Sequence, residues 1–265
     1  MKNERIPMSA MTTKELLKVV VPFPARLWLS EQKQSVKHSL RKLGRGLDSV
    51  SLRRTTPVST DWGVSRGQII DRYYVEQFLA ERAADIRGHV LEFDQDLYAH
   101  RFGGKNITRI DILHSAEGNP RATIVADLAE GENLPSDTFD CIICTQVLHF
   151  VYDVRAGVRT LYRILKPGGV VLVTAPGIQK IERPPMKKWE EHWRFTTLSL
   201  SRLFGEVFPE ENIEVKASGN VLAAIAFLHG FAVEDLRLQD LEYRDPDYEV
   251  SIALRAVRPR PVRSD

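Results

Sequence analysis

Cysteine is scarce in this chain: Cys141 and Cys144 are the two among 265 residues. Their C-x-x-C spacing invites a metal or redox reading, but no second pair is present to complete a tetrahedral metal site. Both sit in the apolar run FDCIICT, where residues three apart face opposite sides of a strand. They read as core thiols in a reducing compartment. No run approaches the roughly 18 to 20 apolar residues of a membrane span. The start of the chain lacks the unbroken apolar core and small-residue cleavage site of a signal peptide. No repeat or low-complexity segment is present. The phosphate turn G-x-G-x-x-G is missing, which argues against a nicotinamide-dependent oxidoreductase. Net charge is only +2, so the chain as a whole is no polyanion binder.

The charge that is present is unevenly placed. Residues 1–60 hold 12 basic and 4 acidic side chains, whereas the rest holds 25 and 31. The expected organisation is a basic N-terminal arm over 1–60, a body over 61–260 and a short tail over 261–265. From Leu27 to Leu47 the arm is helix-like and basic. It reads as a solvated arm, as a helix packed on the body, or as an amphipathic segment on an anionic membrane surface or protein partner. The body is mildly acidic and lacks an Asn-Pro-Pro-Tyr-like turn, so no nucleic acid is expected. The expected location is cytoplasmic, with peripheral contact at the inner membrane face if the arm binds lipid.

Along the body, apolar spacing predicts a helix over 69–86 and another from Asp153 to Leu165. Short apolar runs predict strands at 89–93, 107–113, 122–126, 139–145 and 170–175. A helix near 197–207 follows, then a strand near 213–217, a helix near 220–229 and a last alternating strand over 248–257. Thr196-Thr197 reads as a helix N-cap. Strands alternating with helices imply an α/β fold, a parallel sheet covered on both faces.

The stretch 122–176 is the most specific part. A strand runs into Asp127, a polar loop carries Leu134-Pro135, and Phe139-Asp140 opens a second strand. A helix then ends in Leu165-Lys166-Pro167-Gly168-Gly169 before a third strand. In order and spacing this resembles the class I S-adenosylmethionine-dependent methyltransferases. The helix entry RGQIIDRYYVEQFL and the segment HWRFT resemble the type 11 methyltransferase-domain proteins of bacterial glycan and polysaccharide assembly. The resemblance implies a doubly wound, seven-stranded, mostly parallel Rossmann-like sheet. Its last strand is expected within an antiparallel pair and inserted into the sheet. The implied cofactor is S-adenosylmethionine.

The same resemblance implies site residues at the carboxyl ends of the strands. After the first strand the family shows an acidic residue and then G-x-G-x-G, whose glycines let backbone approach the methionine part of the cofactor. Here Glu92 holds the acidic position, but Asp94, Asp96 and Tyr98 replace all three glycines. Asp94 and Asp96 become candidate partners for the cofactor's ammonium or sulfonium. Asp111 falls where a carboxylate accepts from both ribose hydroxyls. Asp127 matches the residue that meets the adenine amino group, with Leu128 beside it. Gln146 and His149 border the reactive methyl group. Trp189 and Trp193, four apart, are expected to share a helical face with Arg194 toward a polyhydroxyl acceptor. His149 and His192 are the candidate bases.

With no metal-ligand cluster evident, metal-independent O-methylation of a sugar, polysaccharide or other small hydroxylated acceptor is the expected activity. The alternative is a non-catalytic methyltransferase-like subunit that binds a partner enzyme. The lost glycines motivate it, and the retention of Glu92, Asp111 and Asp127 argues against it.

Overall fold

A computed structural model of the protein describes residues 54–182 and 190–261. Most of the arm and Trp189 lie outside the described residues. Seven strands form one sheet: β1 (Gly88–Phe93), β2 (Ile107–His114), β3 (Ile124–Val125), β4 (Phe139–Thr145), β5 (Leu165–Pro176), β6 (Ile213–Ser218) and β7 (Ser251–Val257). Their order is β3-β2-β1-β4-β5-β7-β6. The first five are parallel, and β7 runs antiparallel between β5 and β6. The expected doubly wound sheet with an inserted last strand is therefore what the chain builds. Five main helices accompany it: α1 (Ile70–Glu81), α2 (Val154–Ile164), α3 (Thr197–Gly205), α4 (Val221–His229) and α5 (Leu238–Glu242).

Both faces of the sheet are dry, and β4 shows why its sequence is almost wholly apolar. Ile142 and Cys144 face a core with Val158, Leu161 and Ile164 of α2 and Leu200 and Phe204 of α3. Cys141 and Ile143 face the opposite core, against Val75, Phe78 and Leu79 of α1. The two free thiols thus lie on opposite faces, and burial pushes both far up from their ordinary value. A third cluster joins Ile70 and Tyr74 of α1 to Ala223, Ala226 and Phe227 of α4.

Caps set the helix ends. The Asp153 side chain accepts from Ala156 N at 2.9 Å, and Asn220 from Ala223 N at 2.9 Å. Thr196 and Ser199 form the reciprocal capping box that starts α3. The chain leaves α4 through Gly230 at φ +73°, where a Cβ would stand 2.2 Å from Ser59 O. Val58 and Ser59 both donate to His229 O there. These two residues of the expected arm thus bond to the end of α4.

Three further expectations shift. The helix over 69–86 ends at Glu81, and a 3-10 turn at Ala83–Asp85 completes it. The regular part of β3 is two residues, though Thr123 N and Ala126 N continue its pairing to Ile112 O and His114 O. Asp111 does not follow β2, because the strand runs on to His114. Asp111 is level with Leu91 in mid-strand and is buried. Its carboxylate lies 2.6 Å from His89 Nε2 and accepts from Thr123 Oγ1 at 2.8 Å and Arg109 Nη2 at 3.1 Å. Burial pushes the Asp111 carboxyl up, but these three donors outweigh it and hold it below the usual range. Asp111 ties β1, β2 and the entry to β3 together. Asp111→Ala should lower stability by about 2 kcal/mol by orphaning its donors. A lower urea midpoint at unchanged slope is the expected reading, and an unchanged midpoint would count against the tie.

Candidate functional site at the carboxyl ends of β1 and β4

Chain order reverses between β1 and β4, which makes the crevice beyond their carboxyl ends the place where such a sheet binds ligands. β1 enters it through Glu92, buried and level with Ile143 of β4. Its two oxygens accept from Tyr98 N at 3.0 Å and Ala99 N at 2.7 Å. These amides open a single π turn, Ala99–Gly103, in place of a full crossover helix. Glu92 therefore holds the loop. Burial pushes its carboxyl up to about 7, although the two amide bonds act to lower it.

The three residues that replace glycines do different things. Asp94 adopts φ +65°, a left-handed conformation that aspartate tolerates better than most residues. Gln95 N donates to Phe93 O at 2.7 Å and closes the turn around it. The Asp94 side chain is 61% exposed, and His114 Nε2 lies 3.6 Å from it. Asp96, by contrast, already has a cationic partner. It pairs with Arg121, and His100 Nε2 is 3.2 Å away. The expectation that Asp96 is free to meet a cofactor cation is corrected by those pairs. Tyr98 is buried against the α1 side of the sheet, and its hydroxyl accepts from Arg72 Nη1 at 2.9 Å.

Beyond β3, the Asp127 carboxylate accepts from Ala129 N at 2.7 Å, and the residue stays exposed. The Leu128 side chain belongs to the core beside α2. Beyond β4, Gln146 takes φ +54° and donates its backbone N–H to Thr174 O. Gln146 Nε2, His149 Nδ1, Thr174 Oγ1 and Arg194 Nε are all buried without a hydrogen-bond partner.

Residues 190–196 have no regular secondary structure and bond to this end of the sheet. His192 N and Trp193 N both donate to His149 O, and Phe195 N donates to Pro176 O. Those bonds rule out the helical face expected for Trp193, and Trp189 lies outside the described residues. The Trp193 indole donates to Val151 O at 3.0 Å and its ring stacks on Tyr152, itself 74% exposed. His192 meets the same tyrosine edge-on at 5.1 Å.

The sequence did not single out Glu191, whose side chain is only 4% exposed. It pairs with Arg194 at 3.0 Å and stands 3.8 Å from His149 Nε2. Burial first, and then the Arg194 charge, push His149 down to about 3. A buried imidazole of low basicity argues against the base expected at His149 and is compatible with the bordering role also expected there. Thr174, Asp71 and Arg72 were also missed. A threonine inside an apolar strand and an Asp-Arg pair in an amphipathic helix carry no signal of their own.

The raised Glu92 carboxyl has a measurable consequence. Between pH 4.5 and about 7 the folded chain keeps a proton that the unfolded chain has released. Stability should fall as pH rises through that window, by about 3 kcal/mol in all, and stay level above it. Glu92→Gln cannot titrate, so it should gain on the wild type between pH 5 and pH 8. Parallel urea midpoints for the two proteins across that range would remove the buried carboxyl from the account.

Comparison with known proteins matches residues 88–173 to the family described as a methyltransferase domain. The ubiquinone/menaquinone biosynthesis C-methyltransferase UbiE of Pasteurella multocida (strain Pm70) is 32% identical over 79 residues, 30% of this chain and 28% of that protein. UbiE of Enterobacter sp. (strain 638) is 39% identical over 70 residues, 26% of this chain and 27% of that protein. The matches thus span under a third of either relative. Among solved structures, the [4+2]-cyclase SpnF aligns with a TM-score of 0.49 at 18% identity, covering 74% of this chain and 85% of that one. A Haemonchus contortus phosphoethanolamine N-methyltransferase 2 bound to S-adenosyl-L-methionine aligns with a TM-score of 0.45 at 13% identity, covering 71% and 53%. The likeness to a methyltransferase domain is thus carried by residues 88–173, less than half of the chain.

Proposed function

We propose that this chain is an S-adenosylmethionine-dependent methyltransferase that methylates a hydroxyl of a sugar, polysaccharide or other small hydroxylated acceptor. One observation carries the reading: four buried polar atoms without partners gather at the carboxyl ends of β4 and β5 and in the segment across them. Leaving such atoms unmatched costs about 1–3 kcal/mol each, a cost that a bound ligand would remove. Gln146 Nε2 and Arg194 Nε can only donate, while Thr174 Oγ1 and His149 Nδ1 can adapt. That set suits hydroxyl and ring oxygens. Glu191 already balances the Arg194 charge, which favours a neutral acceptor over an anionic one. Tyr152, His192 and Trp193 offer aromatic faces at the rim, where the apolar side of a sugar ring can rest.

The cofactor fits this crevice by the chemistry of the groups around it. Gln146 and the loop after β1 border it, and Asp127 keeps an exposed carboxylate beyond β3. When bound, S-adenosylmethionine supplies an activated methyl group on sulfur. The chain's own part would be to hold the acceptor hydroxyl in line with that methyl group and to take up the hydroxyl proton at a base. His192, partly exposed at the rim and 3.9 Å from Glu190, is the better placed of the two histidines for that proton. Residues 1–60 hold an excess of eight positive charges, which we assign to an anionic membrane surface or an acidic protein partner.

A second reading, a non-catalytic subunit that binds a partner enzyme, is favoured by one feature: Asp96 occupies a glycine position and is held by Arg121. Calorimetric titration with S-adenosylmethionine and S-adenosylhomocysteine separates the two. Micromolar binding is expected, and no binding at millimolar ligand would transfer the assignment to the second reading. In a methyl-release assay with neutral methyl glycosides, His192→Ala should then lower kcat about a hundredfold. An unchanged kcat would remove His192 as the base.

A further inference from the structure

The replaced glycine loop raises the question of what receives the amino-acid end of the cofactor. Helix α1 supplies two charged side chains in its first turn. Residues four apart share a helix face, so Asp71 stands one turn above Val75. Val75 belongs to the buried cluster that holds Val90 of β1, Cys141 and Ile143 of β4, Leu172 of β5 and Ala253 of β7. At the other end of α1, Arg82 pairs with Glu214 near the start of β6, which is the amino-end side of the parallel strands. The first turn therefore lies toward the carboxyl ends of the parallel strands, where Arg72 reaches the loop after β1 through Tyr98.

Asp71 is surrounded by protein yet keeps part of its surface accessible, as a residue lining a cleft does. Its Oδ1 is buried and has no hydrogen-bond partner. Burial pushes its carboxyl up, with the Arg72 charge only partly opposing this. Arg72 is anchored by donating to Tyr98 Oη, the side chain that stands at the third glycine position. The substitution that closes the loop is thus the same one that fixes the guanidinium beside the crevice.

We propose that Asp71 takes the ammonium and Arg72 the carboxylate of the methionine end of S-adenosylmethionine, in place of the backbone contacts that the missing glycines would allow. This rests on the methyltransferase reading above and deepens it. A zwitterion laid across an adjacent Asp-Arg pair gives the orphaned Oδ1 a charged donor, and Arg72 a planar acceptor suited to its fork.

The test is calorimetry on the intact chain with three ligands: S-adenosylhomocysteine, its deaminated analogue that keeps the carboxylate, and 5′-methylthioadenosine, which lacks the amino-acid end. Asp71→Asn should weaken S-adenosylhomocysteine at least tenfold and leave 5′-methylthioadenosine within twofold. The deaminated analogue should lose as much against the wild type, a comparison that needs no variant to fold. Arg72→Gln should weaken both carboxylate-bearing ligands. Equal affinity of wild type and Asp71→Asn for S-adenosylhomocysteine would overturn the inference while leaving the methyltransferase reading standing. An equal loss for S-adenosylhomocysteine and 5′-methylthioadenosine would also overturn it, by showing a structural role. Failure of the wild type to bind S-adenosylhomocysteine at all would overturn both.

Discussion

A carboxylate withdrawn from water has to find donors, and Glu92 finds them in the backbone amides of Tyr98 and Ala99. Much of the crevice follows from that clamp. The connection from Asp94 to Asn106 is too short for a full crossover helix, so it makes one π turn and one 3-10 turn. A helix start leaves amides without partners, and Glu92 accepts two of them. With the turn fixed, the Tyr98 ring is directed into the core beneath α1 and its hydroxyl reaches Arg72. Asp94 supplies the left-handed residue that the chain reversal requires, and Asn119 Nδ2 holds its carbonyl at 2.8 Å. The three lost glycines are thus replaced by a mutually consistent set rather than by three separate defects.

The sheet is dry on its faces and polar at its carboxyl edge. Among the described residues, Gln146, His149, Thr174 and Arg194 carry buried atoms without partners at that edge, and Asp71 overlooks it. At the opposite edge Arg255 bridges Asp85 and Glu214 and Lys166 reaches Asp140, while Arg82 Nε is buried without a partner. Among the described residues, most of the buried polar atoms without partners thus lie at the carboxyl edge.

Elements governed by periodicity were legible in the sequence. FDCIICT had to be a strand buried on both faces, and the stripe Val154, Val158, Leu161 and Leu165 had to be the helix that follows it. The order of the parallel strands came from resemblance, since spacing alone leaves strand order open. What could not be read was set by contacts between distant segments. Asp111 has the right chemistry for a ribose acceptor, but it lies within the strand rather than beyond its end, and His89 and Thr123 claim its oxygens. Asp96 looked like a spare charge because Arg121, its partner, is 25 residues away. Glu191 was hidden among neighbouring glutamates, where sequence offers no means of telling a buried carboxylate from a solvated one.

The segment over residues 190–196 shows how backbone bonding can reassign chemistry among side chains. Two amides, His192 N and Trp193 N, share His149 O, so the main chain of one histidine is the anchor for the other. Glu191 and Arg194 pair beside His149, and burial first, then the Arg194 charge, depresses its basicity. A residue of such low basicity is poorly suited to abstracting a proton and presents an uncharged polar surface at the carboxyl end of β4. His192 stays at the rim, with Tyr152 on one side and Glu190 within 3.9 Å. Access to water and exclusion from it are opposite demands on a histidine, and the segment over residues 190–196 separates them by keeping His192 at the surface while covering His149.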